Sequence, residues 1–136
     1  MVMNFYKNSF RSIPTPISRV DYSSSQIAKW LLQLICCLKF IHSQNIIHKD
    51  MKPDNIMLDE KLQVKVIDFG VGYNDDGNST NPNMGTPCYM PPHKMWLSGY
   101  GRNYGADYFG LAVTMLQMIS GEIVDFNEQF RELVTN

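Results

Sequence analysis

The chain has 136 residues, of which 44% are hydrophobic and 18% charged, and its formal net charge is −1. This composition excludes a disordered or fibrous protein and predicts one globular domain. A net charge so close to zero provides no field that would attract nucleic acid or an anionic membrane, so we expect neither as a partner.

The amino terminus and the cysteines bear on the cellular compartment. Residues 1–5 lack the basic end and the apolar stretch of a signal peptide, and no apolar run reaches the roughly 18 residues of a membrane span. Three cysteines, of which Cys36 and Cys37 are neighbours, are too few for a disulfide framework. We therefore expect a reducing compartment, the cytoplasm or the nucleus.

The first long regular element that the sequence predicts is a helix. Residues 1–22 contain Pro14 and Pro16 and show no periodicity, which predicts a strand end followed by an irregular connection. From Ser23 onward, apolar residues recur every three or four positions, as in a helix with one buried face. These residues are Ile27, Trp30, Leu31, Leu34, Ile35, Leu38 and Ile41. The serines at 23–25 are candidates for the N-cap.

Three short strands are predicted after this helix. They lie at residues 46–47, at 56–58 and at 62–67, where Leu62, Val64 and Val66 alternate with polar residues. The polar residues 59–61 predict a hairpin between the last two strands.

The second half of the chain begins with an irregular region. Residues 71–105 hold most of the glycine, asparagine and proline, which is typical of a long functional loop. From about Ala106 to Ser120 the sequence is apolar on almost every side, which predicts a core helix that is buried all round and ends at Gly121.

The segment 48–55 reads His-Lys-Asp-Met-Lys-Pro-Asp-Asn and concentrates groups suited to phosphate chemistry. Asp50 could orient a hydroxyl nucleophile, and Lys52 could neutralise charge that develops on a phosphate. The side-chain oxygen of Asn55 could hold a hard cation. Taken alone, this segment also fits an ordinary polar turn.

A second motif follows the last predicted strand. Residues 68–70 read Asp-Phe-Gly, where Asp68 could bind Mg²⁺ opposite Asn55 and Gly70 would let the backbone turn sharply. Residues 85–93, Gly-Thr-Pro-Cys-Tyr-Met-Pro-Pro-His, then close the long loop. His42 and His93 lack companions at metal-ligand spacing, so we interpret them as surface or packing residues.

The order and spacing of these motifs resemble the protein kinase family. Residues 48–55 resemble its catalytic loop, residues 68–70 its magnesium motif, and residues 91–93 its Ala-Pro-Glu position. Lys52-Pro53 together with residues 85–87 is similar to the Ser/Thr branch. The resemblance covers residues 2–121 and implies an α+β fold, mainly α, that is a kinase-like C-terminal lobe fragment with a small β-hairpin pair at the active site.

This resemblance implies ATP and Mg²⁺ as cofactors and a protein Ser or Thr hydroxyl as the substrate. It gives catalytic roles to Asp50, Lys52, Asn55 and Thr86, with Thr86 bridging Asp50 and Lys52. Asn55 and Asp68 would hold Mg²⁺.

Further roles implied by the resemblance concern the nucleotide and regulation. Met3 and Asp68 would contact the nucleotide, while Met57 with its neighbours Ile56 and Leu58 would form the floor of the adenine pocket. Asp107 would anchor the catalytic loop, and His48 and Phe69 would stack in a regulatory hydrophobic spine. Ser79 and Thr80 are the candidates for activation-loop phosphorylation.

Residues 2–5 resemble the segment that joins the two kinase lobes. We therefore expect residues 1–136 to be a partial kinase domain that lacks the small lobe, with its Gly-rich loop and phosphate-binding lysine, and the last helices of the large lobe. The isolated chain should then have negligible activity, because phosphoryl transfer depends on positioning. A chain that supplies the small lobe is a candidate partner. The alternative is a catalytically idle kinase-like fragment that acts as a binding or regulatory module.

Overall fold

The computed structural model describes residues 8–18, 21–68, 73–74, 87–91 and 104–122. Its helices are α1 (Ser24–Ser43) and α2 (Gly105–Ser120), and its strands are β1 (Asn8–Ser9), β2 (Ile46–Ile47), β3 (Ile56–Leu58), β4 (Val64–Val66) and β5 (Tyr73–Asn74). Short 3₁₀ turns cover Phe10–Ser12, Pro53–Asn55 and Pro87–Tyr89. Within these described ranges, neither helix is long and apolar enough to cross a bilayer.

Helix α1 begins and packs as its sequence predicts. The Ser23 hydroxyl accepts a hydrogen bond of 3.1 Å from the backbone N–H of Gln26, which satisfies a donor of the first turn. One side of the helix is buried, and it carries Trp30, Leu34, Leu38 and Ile41. The period of three and four residues therefore identified most of the buried face, with Ile27 and Ile35 partly buried at its edge, but Leu31 was wrongly included because its side chain is exposed.

Strands β3 and β4 form the predicted antiparallel hairpin. The Asp59 carboxylate closes its turn by accepting hydrogen bonds from the backbone N–H groups of Lys61 and Gln63, at 2.8 and 2.9 Å. Leu62 has a φ of 59° and lies in the turn, so β4 begins later than the alternation predicted. Strand β1 pairs with the other edge of β3 and completes a three-stranded sheet.

The remaining strands form a separate pair. Strand β2 is antiparallel to β5, with Ile46 opposite Asn74 and Ile47 opposite Tyr73. Strand β5 comes from the region that was predicted as a loop, and β2 lies directly before the segment 48–55. Of the three strand pairings in the described residues, only β3–β4 is therefore a hairpin, since β1–β3 and β2–β5 join distant parts of the chain.

Trp30 connects α1 to the hairpin. Its indole N–H donates a hydrogen bond of 2.8 Å to the carbonyl oxygen of Leu62, and its ring contacts those of Phe10 and Tyr22 at centroid distances of 5.3 and 5.0 Å. The Gln33 side chain on the next turn accepts a hydrogen bond from the N–H of Val64. The hairpin is thus fixed against the helix by both apolar and polar contacts.

Helix α2 is buried on the side that faces α1 and open on the other. The prediction that it is buried all round is wrong, because Leu116 and Ile119 are 48% and 56% exposed. Its end was predicted correctly. Gly121 has a φ of 79° and its N–H donates to the carbonyl oxygen of Gln117, a left-handed C-cap that glycine adopts most easily.

Candidate active site

The carboxylate of Asp107, at the start of α2, holds the beginning of the segment 48–55. Its Oδ2 accepts a hydrogen bond of 2.9 Å from the N–H of His48, and its Oδ1 accepts one of 2.8 Å from the N–H of Lys49. His42 Nε2 lies 2.8 Å from the same Oδ2. Lys49 has a φ of 69°, a left-handed conformation that is uncommon outside glycine, so the loop needs such contacts to hold this shape.

His48 links this loop to the end of β4. Its Nδ1 accepts a hydrogen bond of 3.1 Å from the N–H of Asp50, and its Nε2 lies 2.8 Å from the carbonyl oxygen of Ile67. Because a carbonyl can only accept, Nε2 carries the hydrogen and Nδ1 the lone pair. The buried ring therefore joins Asp50 to the residue directly before Asp68.

Three of the predicted catalytic side chains lie together on the loop. The Nδ2 group of Asn55 donates to the backbone oxygen of Asp50 at 2.8 Å and to its Oδ2 at 3.2 Å. The ammonium of Lys52 lies 3.5 Å from the same Oδ2. A carboxylate, an ammonium and an amide are thus gathered at one point, with Asp50 and Asn55 largely buried.

The backbone brings Asn55 close to the segment that carries Asp68. The N–H of Ile67 donates a hydrogen bond of 2.9 Å to the backbone oxygen of Asn55. Asp68 follows directly, is exposed, and has a φ of 64°. Nδ2 donates to Asp50, and an amide nitrogen has no lone pair to offer a metal, so Oδ1 is the atom of Asn55 with which a cation would interact.

Along strand β3, the side chain of Met57 lies on the opposite face from those of its neighbours Ile56 and Leu58. Ile56 and Leu58 are buried in the hydrophobic core, whereas Met57 points to the opposite face and is half-buried. Ile56 and Leu58 therefore do not share a surface with Met57.

Two neighbours of the loop were missed by the sequence reasoning. Arg11 forms an ion pair of 2.6 Å with Asp54, which stands between Lys52 and Asn55. A Cβ atom placed on Gly110 of α2 would lie 2.9 Å from the backbone oxygen of Met51, so only glycine lets the helix approach the loop this closely. A glycine in the interior of an apolar helix was the one signal for this contact.

Several predicted site residues lie outside the described residues. They are Met3, Phe69, Gly70, Ser79, Thr80, Thr86 and His93.

Tyr89 lies beside the loop, and the pKa of its hydroxyl is raised above that of a free tyrosine. Its hydroxyl donates a hydrogen bond to Oε1 of Gln117. Burial, together with negative charge at Cys88 and Asp54, raises the pKa of this phenol to about 12, while the hydrogen bond to Gln117 and the positive charge of Arg11 act in the opposite direction. The neutral phenol is therefore the form that the folded state favours.

This raised pKa predicts a loss of stability at high pH. An unfolded tyrosine ionises near pH 10 and folded Tyr89 near pH 12, so its contribution is complete below pH 10 and is lost as pH rises towards 12. Between about pH 9 and pH 11, urea unfolding should show the native chain losing about 1 kcal/mol more than Tyr89→Phe. If the free energy of unfolding depends on pH equally in the native chain and in Tyr89→Phe, the pKa of Tyr89 is not raised.

Comparison with known proteins agrees with these motifs. The family model described as protein kinase domain matches residues 1–135. The chain is 32% identical over 114 residues to a probable serine/threonine-protein kinase of Dictyostelium discoideum, an alignment that takes in 67% of this chain and 24% of that protein. It is 33% identical over 103 residues to RAC-beta serine/threonine-protein kinase B of Xenopus laevis, and this alignment covers 74% of this chain and 21% of that protein.

A third relative comes from a plant. The chain is 35% identical over 98 residues to a probable serine/threonine-protein kinase of Zea mays, with 71% of this chain and 16% of that protein covered. The chain thus spans a quarter or less of the length of these relatives. Because the family model matches nearly the whole sequence, the chain belongs to the protein kinase family, and its relatives are of the serine/threonine type.

Proposed function

We propose that residues 1–136 form the large-lobe part of an ATP- and Mg²⁺-dependent protein serine/threonine kinase, which transfers the γ-phosphate of ATP to a Ser or Thr hydroxyl of a protein. The observation that carries this proposal is the loop geometry. Asp107 holds the backbone at His48 and Lys49, while the carboxylate of Asp50 lies beside Lys52 and Asn55.

In this proposal, the side chains of the loop act mainly by positioning the substrate hydroxyl and the phosphate, and they form no covalent bond with either. Asp50 would accept a hydrogen bond from the substrate hydroxyl and direct its oxygen towards the phosphate. Lys52, 3.5 Å from Asp50 Oδ2, would stabilise negative charge on the transferred group. Since phosphoryl transfer has a loose transition state, alignment and charge neutralisation account for most of the catalysis.

The oxygen ligands of the loop fit a magnesium ion. Asn55 offers Oδ1 because its Nδ2 is held by Asp50, and Asp68 offers a carboxylate directly after Ile67, whose N–H is bonded to Asn55. Within the described ranges, no three His, Cys, Asp or Glu side chains form a metal cage. Mg²⁺ needs none, because it binds through one or two protein oxygens together with phosphates and water. When bound, it would neutralise charge on the ATP phosphates.

The remaining assignments belong to the same proposal. Met57, with Met3 and Asp68, would contact the nucleotide, Thr86 would bridge Asp50 and Lys52, and Ser79 and Thr80 would be phosphorylated in regulation. A further polypeptide segment would supply the small lobe with its phosphate-binding loop. The cytoplasm or the nucleus, where ATP and reduced thiols are present, is the proposed location.

The test is transfer of labelled phosphate from Mg·ATP to a basic protein, with Asp50→Asn and Asp68→Asn as variants. We expect the 136-residue chain alone to transfer no more than its variants, because its sequence contains no Gly-rich loop to clamp the phosphates. With the purified small lobe of a related kinase added, transfer should appear and each variant should reduce it about 100-fold or more.

The controls separate this proposal from its alternative. Transfer that both variants retain would come from a contaminating kinase and would contradict the roles of Asp50 and Asp68. An added small lobe that binds the chain without restoring transfer would favour the idle, regulatory module.

A further inference from the structure

An ion pair at the edge of the loop 48–55 takes no part in the chemistry proposed above. Nη1 of Arg11 lies 2.6 Å from Oδ1 of Asp54, and the two side chains are 77% and 36% exposed. Asp54 stands directly before Asn55, whose Nδ2 donates to Asp50. The pair is therefore at the surface, in the same loop as the carboxylate that would receive the substrate hydroxyl.

Buried neighbours hold the backbone of both partners. Arg11 follows Phe10, which is buried in the core, in a short 3₁₀ turn. Asp54 lies in a second such turn, between Pro53 and Asn55, which are both buried. Since the two turns are fixed to the interior, only the two side chains have to be ordered when the ion pair forms.

The ion pair also lies near the segment 87–91. Besides burial, the negative charge of Asp54 raises the pKa of Tyr89, while the positive charge of Arg11 lowers it. Charges on partly exposed groups act over short distances, because water and salt screen them. The pair therefore lies between the loop 48–55 and Tyr89.

A free carboxylate at this place would attract a basic side chain of a bound peptide. An extended peptide advances about 3.3 Å per residue, so the residues that flank a hydroxyl held at Asp50 lie within reach of the same loop. Arg11 already directs a guanidinium at Asp54, and because it belongs to the same chain its effective concentration there is on the order of millimolar. A basic residue of the peptide has to displace Arg11 before it can pair with Asp54.

We propose that Arg11 is a specificity-determining residue, which neutralises Asp54 and so removes a preference for peptides with a basic residue beside the acceptor hydroxyl. This inference rests on the proposed function only in that it takes a Ser or Thr peptide as the substrate. Binding can be measured without ATP, so the outcome does not depend on whether the chain transfers phosphate.

The test is peptide binding to the 136-residue chain and to three variants. The peptides have blocked ends and a serine flanked by alanines, and one Arg replaces each flanking alanine in turn. Arg11→Ala leaves the carboxylate unpaired, Arg11→Lys keeps the positive charge, and Arg11→Ala combined with Asp54→Asn removes both charges. The NMR shift of the Asn55 N–H, followed at low ionic strength, reports binding beside Asp54.

We expect the native chain and Arg11→Lys to bind the Arg peptides and the uncharged peptide with affinities within about twofold of each other. Arg11→Ala should bind at least one Arg peptide about threefold or more tighter than the uncharged peptide, because Asp54 is then unpaired. The double variant should lose this gain.

Three results would overturn the proposal. The first is a native chain that already binds the Arg peptides more tightly than the uncharged peptide. The second is an Arg11→Ala variant that gains no such preference or binds no peptide. The third is a preference that persists in the double variant, since the attraction would then come from a carboxylate other than Asp54.

Discussion

Replacing Asp107 with Asn is expected to lower the free energy of unfolding by about 3 kcal/mol or more, which corresponds to a fall of roughly 10 °C in Tm. The amide has one acceptor oxygen where the carboxylate has two. Three donors, from His42, His48 and Lys49, then compete for that oxygen, and the new NH₂ group faces at least one of them. Thermal unfolding followed by circular dichroism would measure the loss.

Asp59→Asn is the matched control for this experiment. The Asp59 carboxylate also accepts from two backbone N–H groups, at 2.8 and 2.9 Å, but both bonds use Oδ1 alone and lie in an exposed turn. Asn keeps that oxygen, so the change should be within about 1 kcal/mol. If Asp107→Asn is no more destabilising than this control, Asp107 does not anchor the loop.

Replacing Trp30 with Ala should lower the free energy of unfolding by a similar amount, about 3–5 kcal/mol. The indole extends from α1, is completely buried and packs against the rings of Phe10 and Tyr22. Its removal leaves a cavity and deprives the carbonyl oxygen of Leu62 of its donor. Because Leu62 lies in the turn of the hairpin that carries Met57 and leads to Asp68, the variant should also loosen the active site.

Trp30→Phe separates the contribution of the hydrogen bond to Leu62 from that of the buried ring. It retains an aromatic ring but has no N–H, so it should lose about 1–3 kcal/mol, mostly from the unpaired carbonyl and the smaller ring. Urea unfolding followed by circular dichroism would compare both variants with the native chain. Equal stability of Trp30→Phe and the native chain would mean that the hydrogen bond to Leu62 contributes nothing.

The regular elements could be predicted where their signals lie within a few residues of one another. The three- and four-residue spacing located α1 and its buried face, and Ser23 marked its beginning. The polar residues 59–61 marked the hairpin turn, and Gly121 marked the end of α2. Each of these signals acts through local backbone geometry, so no tertiary information was needed.

Other features could not be predicted because they depend on which surfaces meet. Strands β1 and β5 are two residues long and pair with distant strands, so neither carries a periodic pattern. The apolar sequence of α2 does not reveal that Leu116 and Ile119 are exposed. The contact of Gly110 with the loop backbone at Met51 exists only once α2 has packed there.

The sequence by itself determined the protein's family and the residues proposed for its chemistry, because the motifs that carry Asp50, Asn55 and Asp68 have a fixed order and spacing along the chain. Only the tertiary structure decided how those residues are held. Helix α1 and helix α2 must pack together before His42 and Asp107, 65 residues apart, can share a hydrogen bond. Such a contact has no signature in the sequence, since it arises from the relative placement of two helices and not from the local preferences of either residue.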